Sequence, residues 1–165
     1  MLKLLYTMGE LDFARLSQVY RESIRRAGEA NRPDLSEYQQ NCYGESVLHE
    51  DLMMLFRHGG ICAVLTQGKD YVCAMRLESY QDGYLIAGLE TDPEYRRRGF
   101  AGQLMQLVCL TLAEKGVKTL YSHIKNSNVA SIKVHENCGF GTALDHAVFL
   151  DGSVDTRSKT YVKRL

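Results

Sequence analysis

The sequence predicts an α/β (α+β) fold in which a mixed sheet packs against several helices. Short apolar segments bounded by turn residues recur along the chain, and such segments are typical of strands. Successive strands near the middle of the chain are joined by three or four turn residues, which indicates antiparallel hairpins. A long helical pattern separates the fourth strand from the fifth, so we expect these two strands to run parallel.

The first third of the chain is predicted to be mostly helical. Residues 2–7 are expected to form a short strand, and residues 11–27 an amphipathic helix, because apolar side chains recur there at helical spacing. Residues 28–36 combine Gly, Asn, Pro and Asp, which is typical of a loop. A second helix is predicted at residues 37–57, with leucines along one face.

The rest of the chain alternates between strands and helices. We predict strands at residues 61–66, 71–80, 84–91, 117–124, 140–150 and 160–165. Helices are predicted at residues 102–115 and 128–137. The resulting order, β-α-α-β-β-β-α-β-α-β-β, gives a mixed sheet with helices against it.

The composition argues against several classes of partner. The 165 residues suffice for one domain with a sizeable core, and they are 45% hydrophobic and 24% charged, as in ordinary globular proteins. Lys and Arg together number 20, as do Asp and Glu, so no net charge favours nucleic acid or an anionic membrane surface. No apolar run reaches the length of a membrane span. We therefore expect neither nucleic acid nor a membrane as a partner.

The cysteines indicate a reducing compartment. Their number is odd and they form no CxxC pair: they are Cys42, Cys62, Cys73, Cys109 and Cys138. This pattern argues against a disulfide framework and against a zinc site. The apolar N-terminal stretch is too short for a signal peptide and is better interpreted as a strand. We expect a cytoplasmic protein without a metal.

A turn with three consecutive arginines carries the clearest functional signal. Residues 92–102 read DPEYRRRGFAG and connect an apolar strand to a long helix. The N-terminus of a helix has unpaired N–H groups and a partial positive charge, which suits phosphate. Arginine adds forked donors for phosphate oxygens. We predict that the turn binds a phosphorylated ligand; the alternative is a solvated basic turn.

Two motifs in this part of the chain occur together. Residues 96–101 read RRRGFA, and residues 128–140 read NVASIKVHENCGF. The first resembles the [Arg/Gln]-x-x-Gly-x-[Gly/Ala] signature of the GNAT superfamily of acetyl-CoA-dependent N-acetyltransferases. The second is similar to that family's later motif, with Asn, a small residue three positions on, and a Gly-Phe pair. The resemblance covers about residues 61–140, and the remaining chain matches by pattern only.

The resemblance implies the architecture and the co-substrate. It implies one N-acetyltransferase domain over residues 1–165, built on a mixed, mostly antiparallel sheet of about seven strands with helices on both faces. The fourth and fifth strands would be parallel and splayed. Acetyl-CoA would be the co-substrate, with its pantetheine arm in the gap along the backbone of Leu89, Glu90 and Thr91. A backbone N–H there would hold the oxyanion.

The resemblance also implies which residues hold acetyl-CoA. Backbone N–H groups of residues 98–102 would cradle the pyrophosphate, and a glycine lets that backbone approach closely. We expect Arg96 to be partly turn-forming, and Arg97 and Arg98 to contact phosphate. Asn128 would contact the pantetheine arm, cap its helix, or both. The predicted cofactor-binding residues are Leu89, Thr91, Arg96, Arg97, Arg98, Gly99, Ala101, Gly102, Asn128 and Ser131.

Two residues are predicted to be catalytic. The family often has a tyrosine acid four residues before the glycine of the later motif, where this chain has His135. Imidazole donates a proton near neutral pH, so His135 would protonate the departing thiolate. The alternatives are a thiolate that leaves unaided, a catalytically weak site, or a merely polar helix position for His135. Glu90 interrupts an apolar strand and would deprotonate the acceptor amine, directly or through water; the alternative is a side chain pointing into solvent.

The acceptor is less well defined by the sequence. We predict direct attack of a small-molecule primary amine on the acetyl thioester through a tetrahedral intermediate. The alternatives are a protein or peptide acetyltransferase, or a non-catalytic acyl-CoA-binding module. Residues 28–36 are expected to form part of the acceptor wall, while Tyr121 and His123 fit either the core or the acceptor side. A homodimer through the last strand is an expectation by analogy alone.

Overall fold

The protein folds around one seven-stranded sheet with helices on both faces. A computed structural model describes all residues, 1–165. The helices are α1 (Phe13–Val19), α2 (Arg21–Asn31), α3 (Glu37–Arg57), α4 (Phe100–Glu114) and α5 (Val129–Asn137). The strands are β1 (Leu2–Leu5), β2 (Ile61–Gln67), β3 (Asp70–Tyr80), β4 (Gly83–Thr91), β5 (Thr119–Lys125), β6 (Gly141–Leu144), β7 (Ala147–Val148), β8 (Val154–Asp155) and β9 (Ser158–Arg164).

The order of strands in the sheet is β1-β2-β3-β4-β5-β9-β6. Strands β2 to β4 form an antiparallel meander, β1 pairs antiparallel with β2, and β9 pairs antiparallel with both β5 and β6. Strands β4 and β5 form the one parallel pair, because α4 returns the chain between them. The mixed, mostly antiparallel sheet and the parallel fourth and fifth strands are therefore confirmed.

Strands β4 and β5 separate soon after they meet. They pair over only three residues of β4, from Tyr84 to Ile86, opposite residues 120–122. On its other edge β4 has a bulge, where Gly88 and Leu89 lie opposite Met75 of β3. The predicted splay is therefore confirmed, and the β5-facing edge of β4 has no strand partner beyond Ile86.

Both faces of the sheet are buried, which explains the continuous apolar runs of its central strands. In β2, Ile61, Ala63 and Leu65 belong to the core under α4 and α5. The alternate residues Cys62 and Val64 belong to the core under α1, α2 and α3. A strand covered on two sides loses the alternation of polar and apolar residues that marks a half-exposed strand.

The prediction of one continuous helix over residues 11–27 was wrong. The chain bends at Tyr20, which separates α1 from α2, while the apolar spacing continues across the break. Helix α2 then extends to Asn31, so the predicted loop is shorter and lies between α2 and α3. Helix α3 has the predicted bounds, and the Ser36 side chain caps its N-terminus by accepting from the backbone N–H of Gln39.

Helices α2 and α3 pack very closely through two glycines. A side chain at Gly28 of α2 would collide with the backbone carbonyl of Gln40 on α3. A side chain at Gly44 of α3 would collide with the carbonyl of Ile24 on α2. The two helices therefore form one tightly packed layer over the sheet.

The predicted strand at residues 140–150 is interrupted. It bends after β6, and β7 then pairs with β8 as a separate two-stranded sheet. The last strand, β9, lies between β5 and β6: its β5 side is paired from Ser158 to Arg164, and its β6 side from Thr160 to Val162. A homodimer through this strand stays a prediction, and the pairing with β6 leaves it little free edge for a second copy.

Three further features concern membranes, metals and cysteines. No helix is both long and apolar enough to cross a membrane. No group of three or more His, Cys, Asp or Glu side chains is arranged to hold a metal ion. All five cysteines are free, and only Cys42 is exposed.

Candidate active site

The arginine turn is a rigid connection between β4 and α4. Asp92 caps a short 3-10 helix by accepting from the backbone N–H of Glu94 (2.9 Å), and its own N–H donates to the carbonyl of Val72 on β3 (3.0 Å). Arg97 and Gly99 have left-handed backbones, with φ of 60° and 79°. Helix α4 begins at Phe100, two residues earlier than predicted.

The three arginines differ in their surroundings. The Arg96 guanidinium forms an ion pair with Glu22 of α2 (2.7 Å) and donates to the carbonyl of Thr91 (3.3 Å). Arg98 lies over the ring of Tyr95, 5.3 Å from its centroid. Arg97 and Arg98 are exposed at the surface of the turn. Arg96 therefore ties the turn to α2, while the other two remain accessible from solvent.

The N-terminus of α4 is open to an approaching anion. A Cβ added at Gly99 or at Gly102 would meet no atom within 4 Å. The first backbone N–H groups of a helix have no partner within it, and they point outward along its axis. The free space and the positive end of the helix dipole together make this a suitable site for phosphate.

A cavity of about 720 Å³ occupies the gap between β4 and β5. One side is lined by β4 from Ile86 to Thr91 and the other by β5 from Ser122 to Lys125. The gap brings together seven of the predicted site residues: Leu89, Glu90, Thr91, Arg96, Asn128, Ser131 and His135. The others, Arg97, Arg98, Gly99, Ala101 and Gly102, belong to the adjoining turn and helix start.

His135 is buried on α5, with only 1% of its surface exposed. Its Nδ1 lies 2.8 Å from the backbone carbonyl of Ser131, which can only accept, so Nδ1 carries the proton. Its Nε2 is buried without a hydrogen-bond partner. Burial lowers the pKa of the imidazole, and the bond to Ser131 opposes this less strongly. In the neutral ring Nε2 is thus an acceptor and must gain a proton before it can act as an acid.

Glu90 belongs to β4, and its half-buried side chain points toward α2. The Ser23 hydroxyl of α2 donates to its Oε1, and Arg26 donates in turn to the Ser23 oxygen (2.9 Å). Burial raises the pKa of the Glu90 carboxyl, while Ser23, Arg26 and Arg96 act in the opposite direction. The side chain lines the gap, so a carboxylate that is held in position faces whatever occupies it.

The bulge in β4 is held from two sides, by Tyr20 of the α1–α2 bend and by Arg76 of β3. The Tyr20 hydroxyl donates to the carbonyl of Gly88 (2.6 Å). The Arg76 guanidinium packs against Gly88 and is held by Asp51 through an ion pair of 2.8 Å. The signal in the sequence was the isolated glycine within an apolar strand, which favours a bulge.

Replacing Gly88 tests whether the bulge is fixed. Its φ is 57°, and an added Cβ would lie 3.3 Å from two nitrogens of Arg76. Gly68 is a matched control, since its φ is 60° and a Cβ there meets nothing. We expect Gly68→Ala to lower the free energy of unfolding by about 1–2 kcal/mol through backbone strain alone. Gly88→Ala should cost about 1 kcal/mol more in urea denaturation; equal losses would mean that Arg76 moves freely.

Two smaller cavities continue from the gap on the α2–α3 side. One of about 170 Å³ is lined by Glu90, Ser23 and Asp51, among others. The next, of about 310 Å³, shares Asp51 and extends to Leu150. None of the three cavities is lined by residues 32–36 of the α2–α3 loop. Helices form that side of these cavities, and the contribution of residues 28–36 to an acceptor wall stays a prediction.

The two residues left open on β5 have different environments. The Tyr121 hydroxyl donates to Asp82 (2.5 Å), away from the gap. His123 lines the gap on the side opposite Glu90. In the sequence, Tyr121 and His123 simply alternate along a strand next to the splay. This pattern does not indicate which of the two lines the gap.

Comparison with known proteins connects this arrangement to one family. Residues 19–140 match the model of the Acetyltransferase (GNAT) family. The chain is 32% identical over 62 residues to the [ribosomal protein bS18]-alanine N-acetyltransferase of Escherichia coli strain K12. That match covers 38% of this chain and 42% of the relative, and the Salmonella typhimurium protein of the same name matches to the same extent. The chain thus spans less than half the length of these relatives.

Solved structures share the fold at lower identity. The PaiA N-acetyltransferase of Thermoplasma acidophilum, in complex with coenzyme A, superposes with a TM-score of 0.69 at 15% identity, over 100% of this chain and 99% of that one. The ribosomal-protein-S18-alanine N-acetyltransferase of Escherichia coli has a TM-score of 0.64 at 19% identity, over 99% and 94% of the two chains. At these identities the likeness concerns the fold.

Proposed function

The chain belongs to the GNAT family of acetyltransferases, and from this premise we propose that it transfers the acetyl group of acetyl-CoA to a primary amine of a small molecule. The observation that carries the proposal is the gap between β4 and β5, which runs from the arginine turn to Glu90 and His135. We also propose that residues 1–165 act as one domain. The free cysteines are consistent with the cytoplasm as its compartment.

The residues present fit acetyl-CoA in three respects. The open N-terminus of α4 suits its phosphates, with Arg97 and Arg98 accessible beside it. The unpaired edge of β4 beyond Ile86 suits the amide groups of its pantetheine arm. The unpartnered Nε2 of His135 is a buried polar atom that a ligand in the gap would satisfy.

The proposed chemistry divides between the two sides of the gap. Bound acetyl-CoA supplies an activated thioester. Glu90 attracts the ammonium group of the acceptor and can accept its proton directly or through water, since its carboxylate lines the gap. His135 faces the gap from α5 and would return a proton to the departing sulfur after gaining one at Nε2. Unaided departure of the thiolate is the alternative.

The terminal amine of a protein or peptide is a second candidate acceptor. The relatives named [ribosomal protein bS18]-alanine N-acetyltransferase favour it. The chain of cavities from Glu90 to Leu150 also favours a peptide acceptor, because these cavities offer room for residues that follow the terminal amine. A panel of diamines, amino sugars and amino acid amides, compared with short peptides, would separate the two classes by their kcat/KM values.

Binding of the co-substrate is the first test of the proposal. Acetyl-CoA at about 100 times its Kd should stabilise the protein by roughly 2.7 kcal/mol, which raises the Tm by about 5–10 °C in a domain of this size. CoA should act similarly, and ATP should not. Release of free thiol in the presence of an amine would then measure turnover. A Tm shift without thiol release from any amine would favour the non-catalytic acyl-CoA-binding module, and no shift would contradict the proposal.

A further inference from the structure

On the premise of the amine acetylation proposed above, we propose that Arg76 is a specificity-determining residue that binds a carboxylate of the acceptor. The preferred acceptors are then amino carboxylates, small molecules with a primary amine at one end and a carboxylate at the other. Glu90 holds the ammonium end, and Arg76 holds the carboxylate end. The position of Arg76, the hydrogen bonds of its guanidinium and the charges around it carry the assignment.

Arg76 and Glu90 share one small cavity beside the gap. Both line the cavity of about 170 Å³ between the sheet and helices α2 and α3. Gly88 and Glu90 line this cavity and also the gap between β4 and β5, so the two spaces adjoin at the bulge. In the strand register Glu90 lies opposite Ala74, and Arg76 lies two residues further along β3, on the same face. An acceptor whose amine is held at Glu90 can therefore extend toward Arg76.

The Arg76 guanidinium is held in the cavity wall with one nitrogen left without a partner. Its Nη1 donates to the Asp51 carboxylate of α3 (2.8 Å), and its Nε is enclosed beside Gly88. Its Nη2 makes no hydrogen bond within the protein, and 19% of the side chain is exposed where it lines both small cavities. A guanidinium nitrogen can only donate, so its partner on a ligand must be an acceptor such as an oxygen, and not a second ammonium group. A carboxylate forms the stronger bond, because both groups are charged.

The charges along this side of the gap fit a zwitterion better than a diamine. Arginine stays protonated in proteins, so Arg26 and Arg76 balance the negative charges of Glu90 and Asp51. A zwitterion keeps this balance. The second ammonium group of a diamine would instead need a free carboxylate in the cavity, and Asp51 is already paired with Arg76. Glu78 lines only the next cavity, of about 310 Å³.

A free carboxylate also distinguishes these acceptors from peptides. The carbonyl that follows the terminal amine of a peptide is uncharged, and a guanidinium binds a neutral carbonyl more weakly than a carboxylate. The cavity beside Glu90 is small, which suits a short amino carboxylate. Arg76 thus favours a small-molecule acceptor over a peptide.

Matched pairs of acceptors test the inference in the wild-type protein. Glycine, β-alanine, γ-aminobutyrate and ε-aminocaproate are each compared with their own amide, which keeps the shape but removes the charge. Putrescine and a short peptide amide complete the panel. We expect a chain length at which kcat/KM for the acid exceeds that for its amide by about 10- to 100-fold. Amides, putrescine or the peptide equalling or exceeding every acid would overturn the inference.

Replacement of Arg76 tests which side chain is responsible. Arg76→Met removes the charge and keeps a long unbranched side chain, and it should bring the ratio of acid to amide close to unity. This ratio is measured within one variant, so it does not depend on losses of stability or of acetyl-CoA binding. Arg164→Met is the matched control, because Arg164 also pairs with an aspartate, Asp82 (3.2 Å), but lines none of the three cavities. It should keep the wild-type ratio. If Arg26→Met loses the preference for acids and Arg76→Met keeps it, the assignment to Arg76 is wrong.

Calorimetry separates a failure of this inference from a failure of the proposed function. With CoA present, the acids should bind more tightly than their amides, and Arg76→Met should remove the difference. Binding of the acids without acetylation of any amine would contradict the proposed function and support the carboxylate site. Acetylation of amines without a preference for acids would overturn the carboxylate site alone. Neither binding of the acids nor acetylation would contradict both.

Discussion

A Gly102→Asp substitution is expected to weaken binding of acetyl-CoA severely while leaving the fold intact. A Cβ at Gly102 meets no atom within 4 Å, and the residue lies in the first turn of α4. An aspartate there should keep or slightly raise the Tm of the free protein, because it replaces a glycine within a helix and complements the helix dipole. It would also put a negative charge where the phosphates are proposed to bind, and like charges in contact cost several kcal/mol.

The expected loss of acetyl-CoA affinity is about 10³-fold, measured by calorimetry. Gln106→Asp is the matched control, because it makes the same type of residue on an exposed position of the same helix. The control should bind acetyl-CoA like the wild type. If Gly102→Asp retains wild-type affinity, the phosphates do not bind at the start of α4, and the role proposed for the arginine turn is wrong.

A Glu90→Gln substitution should have an effect of similar size on the acceptor side. Glutamine keeps the shape of the side chain and an oxygen that can accept from Ser23, but it removes the negative charge. Loss of a half-buried charge that attracts an ammonium group is expected to lower kcat/KM for the acceptor by about 10³-fold, largely through KM. The affinity for acetyl-CoA should stay unchanged in calorimetry.

The pH dependence and a paired control sharpen this test. Burial raises the pKa of Glu90, so attraction of the ammonium group should weaken as the pH falls through that raised value. Glu114→Gln is the control, because Glu114 is an exposed carboxylate at the end of α4 and lines neither the gap nor the cavities that continue from it. Equal activities of the wild type and Glu90→Gln would remove Glu90 from the mechanism.

Local signals in the sequence predicted most of the fold. Helix α3 has the predicted bounds because Ser36 caps its start and glycines follow its end. The parallel pair β4–β5 followed from the helix between the strands. The break between α1 and α2 left no local signal in the sequence, because Tyr20 fits the apolar spacing of a continuous helix. The chain bends at Tyr20, whose hydroxyl binds the carbonyl of Gly88 on a distant strand.

The parts of the site that lie within one short segment of the chain could be predicted from the sequence. The arginine turn and the α5 motif each lie within one short stretch, and the structure brings residues of both to one gap. The environment of His123 depends on Tyr80 and Phe149, which are far from it in the sequence. The partner of Glu90 was likewise unpredictable, because Ser23 is just one of several polar residues on α2 and only the tertiary packing selects it.

The glycine contacts between α2 and α3 have a consequence for how acceptor preference can diversify. With the backbones of the two helices touching at Gly28 and Gly44, neither helix can move toward the other, and separating them would open the core. The width of the proposed acceptor side is then set by side-chain volume at a few helix positions, such as Ala27 and Val47, which line the small cavity beside Glu90. Acceptor size can therefore change by single substitutions there, without remodelling the scaffold that carries the chemistry.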